Sequence, residues 1–275
     1  MFPGPSPYDR APTAPRSHPS AASSASRRHR LGRHLGLVLV GLGFIGEPSA
    51  RAESVSNNNL WLNVVGDHPV AGGPWGVHLE TQVRRSDFGG GWQQLLIRPG
   101  VNYAINRSWS VSAGYAWVET HPYSDLPIPH EFPENRAWEQ VVYTHPGLGL
   151  DFTHRLRLEQ RFLGQMSYQN GDWDVSDWRY ENRIRYLLRM TRKLGTLGRW
   201  YAVLWDEVFF NFGSNVSGNE FDQNRVFIGI GYRITPTTQI ETGFMEQTVQ
   251  RRGGQVWENN HTLTVWLTSR WPLGQ

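Results

Sequence analysis

Arginines and carboxylates recur at every second position in two stretches of this chain. Arg155, Arg157, Glu159 and Arg161 alternate with Leu156, Leu158 and Phe162. Arg179, Glu181, Arg183, Arg185 and Arg189 alternate with Tyr180, Ile184, Tyr186, Leu188 and Met190. A period of two sends successive side chains to opposite faces of a strand, so each stretch has one charged and one apolar face. Side by side, the two would raise a wall of guanidinium groups, seven Arg against two Glu. The missing counter-charges must come from elsewhere, and Glu80, Glu139 and Glu207 are the candidates. Arg98, Arg225 and Arg233 belong to the same polar face in other segments. After Ala52 the chain has 19 Arg and one Lys. That bias favours planar, multiply bonded ion pairs over floating charge. The first reading is therefore a structural charge network, and the alternative is an anion-preferring lumen.

Other chemistry is thinner. His78, His121, His130, His145, His154 and His261 could serve as bases, but none sits in a His-x-Ser arrangement on a strand. A lipid hydrolase would need a hydroxyl nucleophile and an oriented His, so an envelope-lipid enzyme is the third reading and no catalytic residue is expected. Glu134, Glu139, Glu159 and Glu181 have close Arg neighbours that suit them to ion pairing rather than to general acid work. Asp172, Asp174 and Asp177, after Asn170-Gly171, look like an oxygen-rich calcium loop without the closing Glu. No Walker loop or dinucleotide fingerprint occurs. The expectation is no metal, no cofactor and no nucleic-acid partner.

The elements that must position the charges are strands. Strand segments number ten, 75–85, 92–104, 109–119, 136–144, 150–162, 179–190, 200–212, 224–233, 239–250 and 259–271, with period-two alternation that is less clear at 136–144 and 200–212, where neither face is assigned. Most exceed the roughly 5–6 residues of soluble strands and match the ~9–11 residues of a tilted membrane strand. Tight connections at 106–107 and 235–238 contrast with long polar ones at 121–135, 163–177, 213–222 and 251–258. That contrast is the pattern of a transmembrane barrel. The expected fold is all-β, an antiparallel transmembrane barrel of about ten strands, with twelve as the alternative. Its short turns would be periplasmic and its long loops extracellular. Residues 53–74, including 60–65, would be a lead-in or partial strand, and 75–275 the barrel. Trp75, Trp92, Trp109, Tyr115, Trp200, Tyr232 and Trp271 are placed at strand ends, as interfacial girdles require.

Composition and the first residues fit export. Hydrophobic residues make up 39%, yet the chain holds 13 Trp, 12 Phe and 10 Tyr and no Cys. Disulfides and thiolate chemistry are thereby excluded. The net charge of +3 is uneven, because residues 1–52 carry +5 and the remainder −2. The basic balance is thus no sign of nucleic-acid binding. Arg27-Arg28-His29-Arg30, the apolar run Leu35 to Ile45 and Ala50-Arg51-Ala52 form the three parts of a secretory signal peptide. About eleven apolar residues would span only ~17 Å as a helix, too short for a bilayer. Cleavage is expected after Ala52, delivering the chain to the outer membrane of a Gram-negative cell. Its partners there would be outer-membrane lipid and, during insertion, the barrel-assembly machinery; a monomer is expected.

A family resemblance adds to this reading. Trp92-Gln93, Leu96, Arg98-Pro99-Gly100 and Tyr103 form its early pattern, with Glu134-Asn135-Arg136, Trp138 and Gln140. The runs 155–162, 180–186 and 206–211 form its middle. Asp222-Gln223-Asn224-Arg225, Gly229, Gly231-Tyr232-Arg233 and Glu241, Gly243, Phe244 and Met245 form its end. In order and spacing these resemble the domain-of-unknown-function family two thousand four hundred and ninety, over roughly residues 59–271. Phe244 stands where that family usually has Tyr. The resemblance implies an outer-membrane barrel and brings no activity, ligand or catalytic residue.

Overall fold

The computed structural model describes residues 53–275 apart from 125–127, 217, 252, 254 and 275. The segment 1–52, expected to hold a signal peptide, lies outside the described residues. Eleven strands make one closed barrel. In chain order they are β1 (Glu53–Pro69), β2 (Trp75–Ser86), β3 (Gly91–Ala104), β4 (Trp109–Thr120), β5 (Phe132–Gly147), β6 (Leu150–Gln169), β7 (Asp172–Leu194), β8 (Trp200–Phe212), β9 (Phe221–Arg233), β10 (Thr238–Arg251) and β11 (Val256–Ser269). Each strand pairs antiparallel with its sequence neighbours, and β1 closes the barrel parallel to β11.

All ten expected strands are present as β2–β11, and the strand count is corrected to eleven. The supposed lead-in is β1, a full barrel strand. Its outward face reads Leu60, Leu62 and Val64, while Asn59, Trp61 and Asn63 point inward and are buried. The Asn residues disguised the alternation as a polar linker. Around a closed barrel an odd count leaves one parallel pair, whose pairing is only slightly weaker per residue. Polar side chains on the inner face bind this seam. Asn260 Oδ1 accepts from Asn59 Nδ2 at 2.9 Å and Asn57 Nδ2 at 3.0 Å, and Asn63 Nδ2 donates to Thr264 Oγ1 at 3.0 Å.

At one end the connections are 70–74, 105–108, 148–149, 195–199 and 234–237. At the other they are 87–90, 121–131, 170–171, 213–220 and 252–255. The expected loop 163–177 is instead a hairpin that continues β6 and β7 past the rest of the rim. Asn170 (φ 56°) and Gly171 (φ 92°) both take left-handed backbone, the demand of a two-residue turn whose twist matches the flanking strands. Asp172, Asp174 and Asp177 consequently lie on β7 and not in a loop.

The outer wall is apolar between two aromatic belts. Trp75 packs edge-on to Tyr103, and Trp109 stacks on Tyr143 at 4.5 Å, at the short-turn end. Trp200 and Tyr232 adjoin there too, while Trp92 and the pair Phe162 and Tyr180 mark the other end. From Trp92 to Tyr103, at ~3.3 Å per residue and a tilt of about 40°, β3 rises roughly 28 Å. That height suits an apolar band of about 25 Å. Tyr115 departs from the expectation, since it sits in the middle of β4 and donates its hydroxyl to Asn135.

Candidate functional site: a charge network across the lumen

The inner faces of β2–β9 meet in the barrel interior, where most of the sequence-nominated charges are buried. Glu159 is fully buried and central. Its Oε2 accepts from Arg183 Nη2 at 2.5 Å, and its Oε1 from Arg185 Nη1 at 2.7 Å and Arg98 Nη2 at 3.4 Å. Arg98 continues to Glu80 at 2.6 Å. Arg185 and Arg155 both reach Glu207 at 2.8 Å. Toward the long-loop end Glu134 receives Arg136 at 2.7 Å and Arg161 at 2.5 Å, and Asp222 receives Arg183 at 2.9 Å. Glu134, Glu159 and Glu207 thus each join guanidinium groups from two different strands. Such geometry is needed if Coulomb attraction and hydrogen bonds are to offset desolvation.

Aromatic rings interleave with the charges. Arg84 lies 3.9 Å and Arg225 5.0 Å from the Trp61 ring, and Arg185 and Arg225 lie 4.3 and 4.7 Å from Phe209. Trp61, buried and donating to Gln93 Oε1 at 2.7 Å, comes from β1. The strand least legible in the sequence therefore supplies the central ring of the network. Trp138 lies flat against the wall because Gly100 and Gly114 lack side chains there; a Cβ on Gly100 would fall 2.5 Å from its Cζ2. Two cavities lie between the paired charges, about 160 Å³ toward the long-loop end and about 240 Å³ toward the short-turn end, the second adjoining a wider mouth of about 460 Å³ that shares Val142, Thr153, Arg189, Gln239 and Arg270 with it. Trp61, Gln82, Arg98, Arg185 and Arg225 stand between them and line both.

Several nominated residues fall elsewhere. Glu139 is on the outer face of β5, exposed, and accepts from Gln160 Nε2 at 3.2 Å. The parity of β5 is set by Glu134, Arg136 and Trp138, all buried, which leaves Glu139 outside. Arg179 is at the rim, half exposed, and reaches Glu181 at 3.1 Å. Arg233 donates to Gly198 O and covers Tyr201, with no carboxylate partner among the described residues. Arg157 and Arg225 are inward and buried, yet neither meets a carboxylate among the described residues: Arg157 donates to Gln140 Oε1 and Arg225 to Gln223 Oε1. Arg84, which stood on the polar face of its segment, was not singled out; it donates to Gln82 and Gln94.

The lumen is also less uniformly polar than expected. Tyr201, Val203, Trp205, Phe227 and Met245 are buried against Trp61 and Leu187 in one apolar cluster. Both faces of β8 are largely apolar, which is why alternation assigns neither face of 200–212. Near the long-loop rim, Tyr123 of the β4–β5 connection donates to Glu258 Oε1 at 2.5 Å and accepts from Arg251 Nη2 at 3.0 Å. Burial pushes its phenol up to about 12. Glu119, His121 and Glu131 also converge at this rim, with His121 Nδ1 3.1 Å from Glu131.

A family model described as protein of unknown function, DUF2490, matches residues 58–259. The chain belongs to that family. This DUF2490 barrel is 27% identical over 243 residues to an uncharacterized protein of Methylorubrum extorquens, covering 87% of this chain and 99% of that one. Among solved structures it is similar to the β domain of the Bordetella autotransporter BrkA, with a TM-score of 0.42 and 10% identity over 66% of this chain and 79% of that chain. A NanC porin structure gives a TM-score of 0.40 and 12% identity over 70% and 83%. The family match runs from within β1 to the first residues of β11, so it covers the strands that carry the buried network but stops short of most of the parallel seam.

Proposed function

We propose that this protein is an exported outer-membrane barrel whose lumen is sealed by its Arg/Glu network, serving as a structural or interaction barrel. The observation that carries the reading is the pairing of Glu159 on β6 with Arg183 and Arg185 of the neighbouring β7 and with Arg98, which reaches it across the lumen from β3. Permanent ion pairs of this kind fill space that a solute pore would leave wet. The apolar exterior between aromatic belts favours a bilayer as surroundings. In that orientation the short turns face the periplasm and the longer loops face outward. The protein acts as a monomer, held by outer-membrane lipid after delivery by the assembly machinery.

Enzymatic function is not part of the proposal. His78 Nδ1 bonds Asp67 at 2.7 Å, an oriented base by geometry, but its Nε2 faces Glu80 at 3.5 Å rather than a hydroxyl nucleophile. Fractionation and gel mobility test the location. The protein should sit in the outer-membrane fraction, and an unboiled sample should run faster than a boiled one. Recovery as a soluble periplasmic protein would sink the reading.

A further inference from the structure

The central charge network is not balanced. Arg84, Arg157 and Arg225 are at least nine-tenths buried and have no carboxylate partner among the described residues. Arg157 is the most extreme. It is 1% exposed, its Nη1 has no hydrogen-bond partner, and it lines the larger cavity near the short-turn end.

Three other unpartnered donors line that same cavity: Arg98 Nε, Arg155 Nε and Trp266 Nε1. The remaining unpartnered polar atom of its wall, His78 Nε2, already faces Glu80 at 3.5 Å. The carboxylates of the wall are occupied. Glu80 holds Arg98, Glu207 holds Arg155 and Arg185, Glu241 is bound by Arg189 and Tyr201, and Asp67 by His78 and Asn102. Unmet hydrogen bonding in the cavity is therefore on the donor side, beside an uncompensated positive charge. An orphaned buried donor is costly, and a charged one more so, until an acceptor fills the site. Part of the lining is apolar, formed by Leu187, which stands beside Arg155 across the β6–β7 pair, with Trp205 and Met245.

We propose that this cavity binds a small organic oxyanion, a carboxylate carried on an apolar body. The carboxylate oxygens accept from Arg157 and its neighbours, and the apolar body lies against Trp205 and Met245. A volume of about 240 Å³ suits a ligand smaller than the occupants of ordinary drug-sized pockets, which run to ~300–1,000 Å³. Gln239 and Arg270 carry the lining to the short-turn rim, the side from which a ligand enters. Conduction through the barrel is not required, so a failure of the sealed-lumen reading and a failure of this site are separate results.

The probe is benzoate, added to the folded protein in detergent, with inorganic phosphate and chloride at matched ionic strength. Benzoate should raise the unfolding temperature saturably, phosphate less so, and chloride not at all. Arg157→Gln should weaken the apparent affinity by about tenfold or more, as expected for loss of a charge-assisted contact of ~1.4 kcal/mol or more. Trp266→Phe removes one neutral donor and should weaken it several-fold, which keeps the test decisive should Arg157→Gln not fold. Glu139→Gln, on the outer wall, should leave it unchanged. A benzoate shift no larger than that of chloride, or one that persists in both lumen variants, overturns the site. Phosphate matching benzoate overturns the amphipathic assignment.

Discussion

Glu159 and Glu181 both pair with arginine, but their surroundings predict different costs of neutralisation. Glu159 is fully buried among three guanidinium groups. Glu159→Gln would strand buried positive charge and should lower unfolding stability in detergent by ~3–5 kcal/mol. Glu181 is also buried but relies on half-exposed Arg179 and on Arg161 at 3.5 Å, so Glu181→Gln, which keeps its hydrogen-bonding capacity, should cost less, ~1–3 kcal/mol. Equal losses, read from denaturant midpoints, would refute this ranking. On the outer wall the logic reverses. Glu139 on β5 faces outward with one amide partner, so Glu139→Leu should leave the midpoint unchanged or raise it. Leu158, beside it on the outer face of β6, should not tolerate Arg, for which the midplane cost is ~2–4 kcal/mol. Membrane partition of Leu158→Arg checks the inside-outside assignment. Residues were legible to the degree that parity fixed them. Alternation placed Arg157, Arg183 and Arg185 correctly, but partner choice depends on strand register across the lumen, which local sequence does not carry.

At the scale of elements, β1 and the β4–β5 connection make the strongest claims. The alternation in β2–β4, β6, β7, β9 and β11 was plain in the sequence because their outer faces are continuously apolar. β1 escaped because its inner face is Asn, Trp and Asn, residues that suit a polar lumen and mimic a linker. The β6–β7 hairpin was missed because its polar arms extend beyond the apolar band, although Asn170-Gly171 is a strong turn signal. If β1 closes the barrel, deleting 53–69 should abolish heat-dependent gel migration, whereas a mere lead-in would be dispensable. Tyr123 offers a test by pH. A raised phenol contributes stability fully below its unfolded value near 10, lost as pH climbs through about 12. The β4–β5 loop should therefore become protease-sensitive over that window. A wild-type minus Tyr123→Phe difference at 295 nm should show the late-titrating phenol. Titration near 10 would mean that Tyr123 is not buried against Glu258.

For the molecule as a whole, an odd-stranded wall and an interior crossed by paired charges work together. The parallel seam brings Trp61 into the lumen, where Arg84 and Arg225 settle on its ring and separate two small cavities. No local feature of the sequence announces that arrangement, since it arises only when β1 meets β11. Reconstitution of the purified protein into planar bilayers tests the sealed lumen most directly. Wild-type protein should insert without opening ion-conducting steps, while Glu159→Gln, where it folds, should leak. Reproducible, anion-selective conductance from the wild-type barrel would contradict the account.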